Sequence, residues 1–121
     1  MVLDFDNSLS VHLVLRQGDH YDRVFIVKKN GVSFDWVNVT EIILEVKETK
    51  KSTEKIIELK LSTGEIEISP GQMTWHIPSS KTDIKAGEYK SIELLIVYSN
   101  TKPKLWFDGK CTVMTRGIKL G

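Results

Sequence analysis

Short runs in which branched and aromatic residues alternate with polar ones dominate the chain, and turn residues interrupt them regularly. That is the pattern of an all-β protein. Val11-His12-Leu13-Val14-Leu15 places Val11, Leu13 and Leu15 on one face of a strand, because successive side chains of an extended chain point to opposite sides. Gln17-Gly18-Asp19 breaks the run, and Tyr21 to Lys29 resumes as a second strand. Asn30-Gly31 predicts a type I′ hairpin turn, since both residue types tolerate positive φ, with Val32-Ser33-Phe34 as the short return. Glu41 to Lys47 predicts a strand with Ile42, Leu44 and Val46 inward. Ile56 to Leu61 and Glu65 to Ser69 read as strands joined through Ser62-Thr63-Gly64. After the Pro70-Gly71 turn, Met73, Trp75 and Ile77 form the next apolar face. Pro78 to Ile84 is too polar for a strand and suits one helical turn. Glu88 to Tyr98 is the longest strand, apolar on both faces toward its end as a central strand is. Lys104 to Phe107, a turn at Asp108-Gly109, and Lys110 to Met114 complete the series.

Turn signals recur about every 8–12 residues, the spacing of a sandwich. The expected core contains Val11, Leu13, Leu15, Phe25, Ile42, Leu44, Trp75, Tyr89, Leu94 and Ile96. Ile84-Lys85-Ala86-Gly87-Glu88-Tyr89 resembles the tyrosine corner of Ig-like sandwiches, in which the ring fills the core edge and the hydroxyl satisfies an upstream backbone group. The chain is therefore predicted to be one all-β domain over 1–121, a single Ig-like antiparallel β-sandwich without the antibody Cys–Trp–Cys set.

Composition narrows the chemistry. The 121 residues carry 17 Lys and Arg against 16 Asp and Glu, so neither a nucleic-acid partner nor a polybasic membrane contact is expected. The amino terminus lacks the basic and apolar regions of a secretory leader, and no apolar run approaches the ~20 residues of a spanning helix. Cys111 is the only cysteine, which excludes an intrachain disulfide and reads as a small buried hydrophobe. Asp19-His20-Tyr21-Asp22 is the tightest polar cluster, but adjacent residues of a strand diverge, so it reads as a turn and no metal is expected. His12 and His76 fall on the polar phases of their strands. No nucleophile–base pair and no Gly-rich phosphate loop is present, so no catalytic residue and no cofactor are assigned. The Lys47–Lys55 stretch reads as a solvated hairpin tip. Asn38-Val39-Thr40 matches a glycosylation tripeptide, to which no role is assigned in the absence of a leader. Trp36 and Trp106 flank loops, and an exposed aromatic pair supports the alternative of a carbohydrate-binding module.

Several short motifs occur in a telling order: Leu15-Arg16-Gln17-Gly18-Asp19 with Tyr21-Asp22, Asn30-Gly31, Trp75-His76-Ile77-Pro78 with Thr82, and Ala86-Gly87-Glu88-Tyr89. Asp108-Gly109 and Thr115-Arg116 follow. In this order they resemble the Ig-like domains of tailed-bacteriophage virion proteins, in particular the amino-terminal domain of the upper-baseplate protein family. The resemblance implies a non-enzymatic structural subunit, in the head fibre or decoration, the tail or the baseplate. It implies attachment to other virion proteins (capsid, tail or fibre subunits) and a location in the virion, assembled in the host bacterial cytoplasm. Larger members of that family continue well beyond the position matched by Thr115-Arg116. Apolar residues outside the main strand series, together with the Trp106-Phe107 edge, are the expected contacts of a homo-oligomer: Val2, Leu3, Phe5, Trp106, Phe107, Ile118 and Leu120.

Overall fold

The computed structural model describes residues 2–4, 10–100 and 102–115, without the side chains of Val2, Asp4, Trp106 and Phe107. Ten strands and one helical turn follow in order: β1 (Val2–Asp4), β2 (Ser10–Arg16), β3 (Tyr21–Lys29), β4 (Val32–Ser33), β5 (Val39–Lys47), β6 (Ile57–Lys60), β7 (Ile66–Ser69), β8 (Gln72–Ile77), α1 (Ser79–Thr82), β9 (Gly87–Tyr98) and β10 (Lys104–Met114). They form an all-β sandwich of two sheets. The first runs β1-β3-β8-β7, with β4 also on β3; the second runs β2-β10-β9-β5-β6.

Alternation decides which face each strand buries. In β2, Val11, Leu13 and Leu15 are buried while Ser10, His12, Val14 and Arg16 are exposed. Met73, Trp75 and Ile77 of β8 are completely inaccessible, as are Ile42, Leu44 and Val46 of β5. All ten residues expected in the core are there. Phe25 tilts against Trp75 with ring centroids 4.3 Å apart, an offset contact that aromatic quadrupoles favour. Asn30 and Gly31 both take positive φ, 52° and 75°, as a type I′ turn requires.

The pairing is antiparallel apart from two parallel pairs that the sequence pattern does not announce. β1 lies parallel to β3, and β2 lies parallel to β10. Both arise because the amino-terminal part of the chain contributes one strand to each sheet. Leu3 consequently pairs with Val27 and is fully buried, so its side chain belongs to the domain's own core rather than to a partner surface.

Asp108-Gly109 is not a turn. Both residues lie within β10, where Asp108 pairs with Ser10 and Gly109 with Val11. A Cβ on Gly109 would stand 1.8 Å from the Val11 carbonyl oxygen, so the glycine is there to let two backbones approach. The pairing of β9 with β10 shifts register twice, between Leu105 and Phe107 and between Gly109 and Cys111. Trp106 is the extra residue of the first shift.

Polar side chains tie the rims of the sandwich. The Tyr89 hydroxyl donates to the Lys85 carbonyl at 2.6 Å, the contact expected of a tyrosine corner. Buried Thr82 donates to the Asp19 carbonyl at 2.6 Å, and Gln17 Nε2 donates to the Ile84 carbonyl at 2.8 Å. Lys81 donates to the Glu58 carbonyl on β6 and pairs with Glu65 beside β7, bridging the two sheets.

Two substitutions test these assignments by chemical denaturation. Gly109→Ala is expected to cost about 1–3 kcal/mol, the usual penalty for forcing atoms into a filled space. Tyr89→Phe is expected to cost about 1 kcal/mol, the net worth of one hydrogen bond. An unchanged midpoint in either variant contradicts the role given to that residue.

Candidate functional site

The most concentrated polar chemistry lies on the outer face of the first sheet, where β3, β8 and β7 run side by side. Asp22 and His76 are direct cross-strand partners, which brings their side chains together. His76 Nδ1 lies 2.5 Å from Asp22 Oδ1, and its Nε2 lies 3.3 Å from Glu67 of β7. His20, just before β3, places Nε2 at 3.1 Å from both Asp22 oxygens. The hydrogen bond that His76 donates to Asp22 raises the pKa of His76, and that same contact holds Asp22 below the usual carboxylate range. No group of three or more metal-ligating side chains converges among the described residues. The cluster is a charge network across three strands, and its chemistry is proton binding.

Reading Asp19 to Asp22 as a simple turn therefore misses the cross-strand half of the arrangement. His76 is nine residues from the nearest member of the cluster on its own side, Glu67, and more than fifty from Asp22. Only the β3–β8 register brings them together.

The outer face of the second sheet is banded. Ile43, Leu95 and Leu105 are successive cross-strand partners and form an apolar row, with Leu105 exposed. Beside it runs an acidic row: Glu58 pairs with Glu45, Glu45 with Glu93, and Glu93 with Asp108. Like charges directly opposite one another are unfavourable unless counter-charges intervene. The lysines of the 47–55 segment supply them. Lys55 Nζ lies 2.7 Å from Glu58 and 3.0 Å from Glu45, and Lys50 reaches Asp108 at 2.7 Å. The segment also packs on β9, with the Lys90 amide donating to the Glu48 carbonyl at 3.0 Å. This basic tip is thus a counter-charge for the sheet's own carboxylates and not a free anion-binding surface.

The Trp36 indole donates to the Ser69 carbonyl at 2.8 Å and meets Phe34 edge-on at 4.8 Å, so the ring is anchored to the domain. Trp106 and Phe107 are described only by backbone: Trp106 at its bulge, Phe107 paired with Leu94. Val2 pairs with Ile26, again by backbone alone. Phe5, Ile118 and Leu120 lie outside the described residues. Cys111 is buried, and burial pushes its thiol up to about 12, so it stays protonated at neutral pH. Apolar side chains stand exposed on strands: Val24 and Ile26 on β3, Val14 on β2, Leu105 and Met114 on β10. Periodicity marks them as outward, but only the register shows which of them are neighbours.

No protein-family model matches the chain, and no curated protein matches it.

The Asp22–His76 pair imposes a pH dependence whose sign follows from the two shifts. The raised pKa of His76 contributes stability that is complete below its ordinary value of 6.5 and is lost as the pH rises through the folded value. The lowered pKa of Asp22 contributes stability that is complete above its ordinary value of 3.8 and is lost as the pH falls through the folded value. The pair therefore stabilises most between those two ordinary values. His76→Gln is expected to lose stability relative to the parent chain at pH 5.5, with the difference shrinking above pH 8. Urea midpoints measured across that range check it, and a pH-independent difference contradicts it.

Proposed function

We propose that the chain is a non-enzymatic structural subunit of a bacteriophage particle, attached to other virion proteins through protein–protein contacts. The observation that carries this reading is the strand order. Setting β1 aside, β3-β8-β7 facing β2-β10-β9-β5-β6 resembles the order of an Ig-like sandwich, and the Tyr89 contact at the start of β9 supports the same reading. The ordered sequence motifs resemble that kind of domain in virion proteins, so pattern and topology support the same reading. Fold alone does not assign function. Support for a binding role comes from outward apolar residues on strand faces, the Ile43–Leu95–Leu105 row above all. Repetition on a symmetric particle lets individually weak contacts of this size act together.

Mass spectrometry of purified particles is the test. The expected result is the intact chain present in stoichiometric ratio to the major structural proteins. Its absence from particles, with the chain found only in the soluble lysate, overturns the proposal.

A further inference from the structure

β2 is the longest strand at a sheet edge: seven residues, against four in β6, four in β7 and three in β1. An edge of that length is a template for pairing with another chain. The direction of its backbone groups can be read from contacts at its end. The Gln17 amide donates to the Met114 carbonyl on β10, so odd-numbered residues turn their hydrogen-bonding groups toward β10 and even-numbered ones turn theirs outward. Two of those outward groups are held by side chains of β3. The Arg16 amide donates to the Tyr21 hydroxyl at 2.8 Å, and Arg23 Nη2 donates to the Val14 carbonyl at 3.4 Å. The Arg23 guanidinium sits over the Tyr21 ring, 4.9 Å from its centroid, so the two side chains form one latch. A cavity of about 270 Å³ lies beside it, lined by Val11 to Val14 and by Arg23 to Phe25. Val14 is exposed within it.

We propose that the β2 edge is a latched docking edge for a second copy of this chain, the two β2 strands pairing antiparallel about Leu13. Self-complementarity selects this occupant. A two-fold axis at Leu13 sets Ser10 against Arg16 and His12 against Val14, and all four belong to the outward-bonding set. The same register puts Val11, Leu13 and Leu15 of one copy in line with Leu15, Leu13 and Val11 of the other, so both core-facing stripes stay on the core side. Charges agree as well. Arg16 comes beside Ser10 of the second copy, whose neighbour in the sheet is Asp108, the end of the acidic row. The latch sets the strength of this pairing, because the Arg16 amide and the Val14 carbonyl must leave Tyr21 and Arg23 before they can bond across the axis.

Sedimentation velocity over a concentration series tests this, with far-UV circular dichroism to verify folding. The Tyr21→Phe/Arg23→Ala double variant is expected to dimerise about tenfold more tightly than the parent chain. Adding Val14→Lys sets an ammonium against His12 and Lys110 of the second copy and is expected to return the chain to monomer. Hydrogen exchange of the dimer is expected to show new protection at His12 and Val14. A folded double variant that associates no more tightly than the parent overturns the proposal. So does a dimer that persists with Val14→Lys, or one whose new protection lies on another strand or on a sheet face. A latch variant that unfolds shows the two side chains to be structural and overturns it too. None of these outcomes depends on whether the chain is found in particles.

Discussion

The parallel pairing of β2 with β10 is the constraint on which most of the structure depends. It places the second strand of the chain in a different sheet from the first and third, so β1, β2 and β3 together span both layers. Val11, Leu13 and Leu15 enter the core only because this pairing holds them there. The pairing in turn needs Gly109, where any side chain would strike the Val11 carbonyl. One missing Cβ in β10 thus lets β2 approach closely along a strand that buries three apolar residues. The cost of leaving them exposed would be several kcal/mol, at about 1.5–3 kcal/mol for each large aliphatic side chain.

β2 and β3 leave for different sheets, and polar side chains tie the chain between and around them. Thr82 and Gln17 fasten the α1 segment to the β2–β3 connection, while Tyr21 and Arg23 hold the outward edge of β2. Lys81 spans β6 and the start of β7. Apart from the Lys81–Glu65 ion pair, each contact satisfies a backbone carbonyl or amide, which is how a sandwich of short strands manages its edges. The outer faces follow a different logic. There the cross-strand register sorts side chains into an apolar and an acidic row on the second sheet, and a histidine–carboxylate network on the first.

Period-two alternation made the strands and the core legible in the sequence, because burial of one face leaves a signal at every second residue. Asn30-Gly31 and the Gly87–Tyr89 corner were legible for a similar reason: each is local and has a conformational requirement few residues meet. Asp108-Gly109 misled, since the same dipeptide serves a tight turn or a close backbone approach, and only the neighbouring strand distinguishes them. The Asp22–His76–Glu67 network, the Lys50–Asp108 pair and the Tyr21–Arg23 latch join residues through register or between separate elements. No spacing within a single strand encodes them. Leu3 illustrates the same limit, since an apolar residue in a short terminal strand looks alike whether it meets a partner or its own core.

The sandwich as a whole depends on β2 being a strand bonded on one side and latched on the other. Residue-resolved amide hydrogen exchange on the dilute, monomeric chain measures this directly. Alternating protection is expected along β2: slow exchange at Val11, Leu13, Leu15 and Gln17, fast exchange at His12 and Val14, and intermediate exchange at Arg16, whose amide Tyr21 holds. Uniformly fast exchange would show that β2 is not docked on β10. Uniformly slow exchange would show that its outer edge is already paired, and either result would contradict the account.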